Sequence, residues 1–150
     1  MFKYDNFAAV QAGKAIATFD YDDTLTTPRF DVSEDMWVTT NEPNEQVVAE
    51  LTRLASRGWK IHIVTSRKDT KENREEINGF IETHKLPILS LVFTSLQDKS
   101  LFIVSLKSIR HYDDDPYEIE YLPDHVSGVL IKHPAGNPSD SLMAYLGSPS

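Results

Sequence analysis

Five short apolar runs punctuate this chain, at 14–19 (KAIATF), 60–66 (KIHIVTS), 89–95 (LSLVFTS), 108–115 (SIRHYDDD) and 127–134 (SGVLIKHP). Each is short, carries β-branched or aromatic residues, and is bounded by glycine, proline or polar clusters, which reads as a buried strand. What lies between several of them has helical periodicity. Over 44–58, Val47, Val48, Leu51, Leu54 and Ala55 fall on one helical face, and Gly58 is a stop signal. Over 69–87, Ile77, Phe80, Ile81 and His84 share a face, with Asp69 or Thr70 as cap and Pro87 beyond the end. A third, shorter helix is expected at 99–107. A fourth starts at Pro116, with Asp115 as cap and the proline at the first helical position. Strands joined through helices make right-handed crossovers, so the pattern implies a parallel sheet covered on both faces. At 150 residues the chain suits one such domain.

In a sheet of this kind, functional residues gather beyond the carboxyl ends of the strands. Those ends here read Asp20–Asp22, Thr65–Ser66–Arg67, Thr94–Ser95 and Asp113–Asp114–Asp115. The fold therefore delivers two acidic clusters from opposite halves of the chain to one edge. Asp20, Asp22 and Asp23 crowd into four residues and repel one another unless something compensates. With no cysteine in the chain, a compensating metal must use oxygen or imidazole ligands. Converging carboxylates suit Mg²⁺, which takes one or two of them and fills its octahedron with water and substrate phosphate. A calcium loop fits poorly, because Leu25 stands where glycine is needed and Asp31 where glutamate is needed. A strand end can present Asp20 as a nucleophile and Asp22 as the group that protonates the leaving oxygen and later activates water.

The stretch FDYDDTLT, with the later strand ends, resembles the motifs of the haloacid dehalogenase-like superfamily of phosphohydrolases. The first motif is an apolar strand ending Asp-x-Asp-x-Thr; IHIVTS is similar to the second, Lys99 in QDKS to the third, and IRHYDDDP to the fourth. The resemblance covers about residues 14 to 130. It implies a Rossmann-like α/β three-layer sandwich with a central five-stranded parallel sheet, and a Mg²⁺-dependent phosphatase forming an aspartyl-phosphate on Asp20. By the same resemblance, Asp22 is the general acid/base and touches the metal through its backbone carbonyl, Thr65 bonds the phosphate, and Lys99 holds nucleophile and phosphate. Asp113 and Asp114 complete the metal site with Asp20 and Asp22. Lys107 is an alternative to Lys99, and Asp115 an alternative ligand or simply the helix cap.

Thr24, Ser66, Arg67 and Arg29 are candidate substrate-binding residues. An arginine fork suits a phosphate, although a surface role for Arg67 is an equal alternative, and Arg29, Phe30 and Trp37 can instead pack in their loop. His62 and His84 read as packing residues, and His111 as a neighbour of the acidic cluster without an assigned role. The run Glu72 to Glu76 reads as a solvated helix face.

About forty residues separate Thr24 from Thr65, enough for a flap and one helix, and about thirty separate Thr65 from Lys99, which a helix and the third strand consume, so neither gap holds a cap domain. The expected organisation is a phosphatase domain over 1–133 and a Pro-, Gly- and Ser-rich tail over 134–150. Capless members of the superfamily that the chain resembles often act on large substrates, so the resemblance implies a nucleotide or polynucleotide phosphate, and the segment after the second motif is loosely similar to polynucleotide 3′-phosphatase domains. The alternatives are a small-metabolite phosphatase that closes its site by oligomerising, or a non-catalytic module that kept the fold; monomer and homo-oligomer both stay open. The net charge of −8, from 23 acidic residues against 15 basic ones, argues against tight non-specific binding to nucleic acid. No long apolar stretch suggests a signal peptide or membrane span, so a cytoplasmic protein is expected.

Overall fold

A computed structural model describes residues 6–132. The elements in chain order are α1 (Phe7–Gln11), β1 (Ile16–Phe19), a helical turn (Tyr21–Leu25), β2 (Arg29–Asp31), β3 (Met36–Val38), α2 (Glu45–Ser56) and β4 (Lys60–Thr65). They continue as α3 (Lys71–Thr83), β5 (Ile88–Phe93), α4 (Lys99–Ser105), β6 (Arg110–Asp113), α5 (Pro116–Glu120) and β7 (Ser127–Leu130). The tail expected over 134–150 lies outside the described residues.

Five strands form one parallel sheet in the order β5-β4-β1-β6-β7. The chain builds outward from β1 to β4 and β5, then returns to lay β6 and β7 on the other side. That reversal opens a crevice at the carboxyl end of β1, between strands whose connections leave in opposite directions. Register fixes what meets there. Phe19 pairs with Tyr112, and the Asp20 N–H donates to the Tyr112 carbonyl at 2.9 Å. The next residues, Asp20 and Asp113, are thereby brought side by side.

Alternation along β4 shows how the two faces are covered. Ile61 and Ile63 point to one side, where Val47, Leu51 and Leu54 of α2 and Ile77 and Phe80 of α3 complete the main core. Val64 points to the other side, with Ile103 of α4 and the half-buried Phe102, Leu106 and Leu122. The helices are capped as their sequences suggest. Asn44 accepts from Val47 N–H, Thr70 from Asn73 N–H, and Asp115 from Tyr117 N–H at the start of the proline-led α5.

Two features depart from the sequence expectation. The strands are shorter than their apolar runs: β1 and β6 begin two residues late, at Ile16 and Arg110, and β6 and β7 end early, at Asp113 and Leu130. The segment between the first two sheet strands contains a small antiparallel hairpin, β2–β3, pairing Arg29 with Val38 and Phe30 with Trp37. Three-residue strands with half-exposed, mixed side chains carry too little alternation to be read in advance. The hairpin turn is held by Asp31, whose Oδ1 accepts from Ser33 N–H, Ser33 Oγ and Glu34 N–H. There is no separate cap domain between the sheet strands.

Candidate active site

The turn after β1 aims the first acidic cluster. Asp22 is extended and Asp23 is left-handed (φ 61°), a conformation that aspartate tolerates better than most residues. The Asp23 N–H donates to Thr26 Oγ1, closing the turn. Asp20 is thus delivered into a nearly buried position, 4% exposed, at the mouth of the crevice.

Asp20, Asp113 and Asp114 each offer a carboxylate oxygen, all within 4.8 Å of one another. Lys99, the first residue of α4 and 3% exposed, reaches into this cluster. Its Nζ donates to Asp20 Oδ1 at 2.8 Å and to Asp113 Oδ2 at 2.7 Å. Lys107, its alternative, is exposed and makes no such approach. Thr24 Oγ1 donates to Asp20 Oδ2 at 3.0 Å. Asp115 spends its side chain capping α5, and its N–H donates to Asp113 Oδ1 at 3.1 Å.

His111 was left without a role by its sequence, yet it is fully buried, two residues before Asp113 on the same face of β6. Its Nε2 lies 2.8 Å from Asp113 Oδ2 and its Nδ1 lies 2.7 Å from Thr18 Oγ1. An ionised carboxylate only accepts, so Nε2 carries the proton and Thr18 donates to Nδ1. Burial lowers the histidine's pKa, which suits this neutral tautomer. The signal was the i, i+2 spacing of His111 and Asp113, which any strand converts into adjacency on one face.

The three carboxylates titrate very differently. Burial first, and then the Asp113 charge, push Asp20 up to about 7 against the pull of Lys99. Burial and the Asp20 charge push Asp114 up to about 9. Burial also acts upward on Asp113, but the contacts with His111 and Lys99 overcome it and hold the group down at about 2. For Lys99, burial acts downward and the two carboxylates outweigh it, so its pKa is raised. Two carboxyl groups resisting ionisation beside a third are the electrostatic mark of a place that a cation would relieve. The donor set is all oxygen and fits a hard divalent cation such as Mg²⁺.

The remaining candidates divide. Ser66 and Asp22 join the cluster in lining a cleft of about 370 Å³, together with Asp23. The Asp22 carboxylate is not one of the three clustered groups; it meets Arg67 in a two-pronged ion pair, Nε to Oδ2 and Nη2 to Oδ1, both 2.8 Å. Thr65 is buried at the end of β4, where its Oγ1 accepts from Arg67 N–H at 3.3 Å. Arg67 is not among the residues lining the cleft. Its Nη1 donates to Asn73 Oδ1 at 3.1 Å and to Glu76 Oε2. Glu76 therefore belongs to this network and is not simply part of a solvated helix face. Arg29 is exposed on the hairpin, and Phe30 packs edge-on against Trp37.

No protein-family model and no curated protein matches the chain. Among solved structures it matches the 3-deoxy-D-manno-octulosonate 8-phosphate phosphatase of Moraxella catarrhalis, determined in complex with magnesium, phosphate and KDO. The identity is 17% and the TM-score 0.51, over 93% of this chain and 79% of that one. A putative phosphatase of the same specificity from Vibrio cholerae matches with 12% identity and a TM-score of 0.49, over 95% of this chain and 92% of that one. The likeness is one of fold, a Rossmann-like α/β sandwich with a central five-stranded parallel sheet and no separate cap domain.

Proposed function

We propose that the protein is a Mg²⁺-dependent phosphomonoester hydrolase that works through an aspartyl-phosphate on Asp20. The observation that carries the reading is Lys99 bridging Asp20 and Asp113, with Asp114 in the same cluster. A lone acidic turn needs no buried lysine; a nucleophile that must stay ionised and aligned does.

Asp20, Asp113 and Asp114 would hold the cation, with the Asp22 backbone carbonyl. When bound, the cation neutralises charge on the phosphoryl group and favours the ionised form of the surrounding carboxylates. Asp20 attacks phosphorus, the ester P–O bond breaks, and the leaving oxygen takes a proton from Asp22. Asp22, now a base, removes a proton from a water that attacks the aspartyl-phosphate. Inorganic phosphate leaves and Asp20 is regenerated. Lys99 keeps Asp20 oriented and offers its third proton to a phosphate oxygen, Thr65 and Ser66 supply hydroxyls toward the phosphate, and Thr24, committed to Asp20 Oδ2, steadies the nucleophile and does not reach substrate.

Within this chemistry, a nucleotide or polynucleotide phosphate is one substrate reading, supported by the absence of a cap. A small ester whose leaving group is uncharged, such as the phosphate of a neutral sugar, is favoured by a specific observation. Six aspartates line the cleft against one lysine, a poor setting for a leaving group that brings further negative charge. A cytoplasmic setting is part of the proposal; among the described residues no helix is long and apolar enough to cross a membrane.

Phosphate release from 4-nitrophenyl phosphate, with Mg²⁺ and after chelation, tests the activity. Sugar phosphates, mononucleotides and 3′-phosphorylated oligonucleotides test the substrate. Mg²⁺-dependent release is expected, and its absence from every ester would overturn the reading.

A further inference from the structure

Arg67 sits at the phosphate end of the sheet, and a guanidinium there invites the role of phosphate clamp. Its contacts point elsewhere. Nε and Nη2 form the two-pronged pair with Asp22, and Nη1 is divided between Asn73 and Glu76 of α3. The guanidinium also lies 5.3 Å from the centre of the Tyr21 ring, where cation–π attraction adds to the hold. Glu76 is fixed in turn, since its Oε1 accepts from Asn41 Nδ2 at 3.0 Å. Asn41 Oδ1 accepts from the Tyr21 hydroxyl at 3.1 Å. Tyr21 is the residue immediately before Asp22, so the contacts close into a ring: Asp22, Arg67, Glu76, Asn41, Tyr21 and back along the chain to Asp22.

We infer that Arg67 and Glu76 are positioning residues for Asp22, with Arg67 aiming its carboxylate and Glu76 with Asn41 aiming Arg67. The inference rests on the phosphatase reading above, in which Asp22 takes up a proton from solvent before the leaving oxygen receives it; the fork occupies one lone pair on each oxygen and leaves another on each to hold that proton. A carboxylate on a flexible turn samples several rotamers, and proton transfer needs one of them. The fork fixes both oxygens at once, which a lysine cannot do. The ring also joins that rotamer to the loop that returns from the hairpin to α2, where Asn41 lies.

Leaving-group dependence separates this role from a clamp or a purely structural one. An alkyl phosphate needs a proton on its leaving oxygen, whereas 4-nitrophenyl phosphate does not. Glu76→Ala keeps a good helix former in α3, and Arg67→Lys keeps the charge without the fork. Each should lower kcat/KM on the alkyl ester by about tenfold or more, and on the aryl ester by less than about twofold. A second readout is independent of turnover. The Arg67 Nε–H resonance of isotope-labelled protein should shift in both Asp22→Asn and Glu76→Ala. Equal losses on the two esters, as a clamp predicts, or no loss on either, overturn the positioning role. So does an Arg67 resonance that stays at its wild-type position in either variant. If the wild-type protein cleaves neither ester, the phosphatase reading falls and the positioning role falls with it.

Discussion

Lys99 donates to Asp20 across 2.8 Å, although 79 residues separate them in the chain. The same ammonium donates to Asp113, 14 residues later, at 2.7 Å. One buried cation thus ties the end of β1 to the end of β6. It partly offsets the repulsion that makes the acidic cluster costly to assemble. Removing it should expose that cost. Lys99→Met keeps the length and apolar stem but leaves two buried carboxylates without their partner. A loss of about 3–5 kcal/mol is expected without metal, and Mg²⁺ should recover part of it. Denaturant unfolding with and without Mg²⁺ measures both; a variant as stable as the wild type, with no response to metal, would contradict the assignment.

Stability without metal should fall between pH 7 and pH 9. Asp114 is raised to about 9, so the folded protein keeps a proton that the unfolded chain has already released. Stability then declines with rising pH until the folded group ionises. Asp20, raised to about 7, contributes in the same direction below that window. Asp113, held down at about 2, contributes stability that is fully present above the ordinary carboxylate range and lost only in acid, so it adds no slope between pH 7 and pH 9. A cation favours the ionised carboxylates, so Mg²⁺ should bind more tightly, and release protons, as pH rises through the same range. Thermal unfolding from pH 7 to 9, with and without Mg²⁺, checks the slope. A flat or rising metal-free profile would falsify it.

Asp20→Asn should abolish turnover, because an amide does not attack phosphorus. Asp22→Asn should slow alkyl ester cleavage by about 10²–10⁴-fold, the range of general acid–base contributions. Rapid quenching with an aryl phosphate should trap label on Asp20 and accumulate more of it in Asp22→Asn, which lacks the base for hydrolysis. Label on another residue, or none under any quench, counts against covalent catalysis.

His111→Phe should cost stability and weaken metal binding together. It removes one of three donors to Asp113 and one of the contacts of the Thr18 hydroxyl, which keeps Ser108 Oγ at 3.0 Å and the Arg110 carbonyl at 3.4 Å. An unmade buried hydrogen bond costs about 1–3 kcal/mol, and a less constrained Asp113 is a poorer ligand. Unfolding measurements and the Mg²⁺ dependence of the melting temperature report the two effects. A stable variant with unchanged Mg²⁺ response would show that Lys99 and the Asp115 N–H suffice.

Local chemistry was legible in the residues themselves. Periodicity of apolar positions marks a strand or helix wherever it runs long enough, as in Ile61, Ile63 and Val64 or in Val47, Leu51 and Leu54. Capping depends on neighbours in the chain, which is why Thr70 and Asp115 could be placed. Parallel topology follows from the alternation, and it brings Asp20 and Asp113 to one edge. The hairpin was hidden because three-residue strands carry almost no pattern.

The rest depends on distances that topology alone does not specify. Lys99 was favoured over Lys107 by motif, but only the packing of α4 carries its ammonium into the cluster. Burial of that cluster separates the carboxylates in pKa, and burial is a property of the assembled fold. Likewise, nothing in the sequence around Glu76 announces a pairing with Arg67, or around Arg67 a fork closed on Asp22. Those side chains meet because α3 packs beside the turn after β1, and an ion pair between such elements forms only where the tertiary fold has already brought them together.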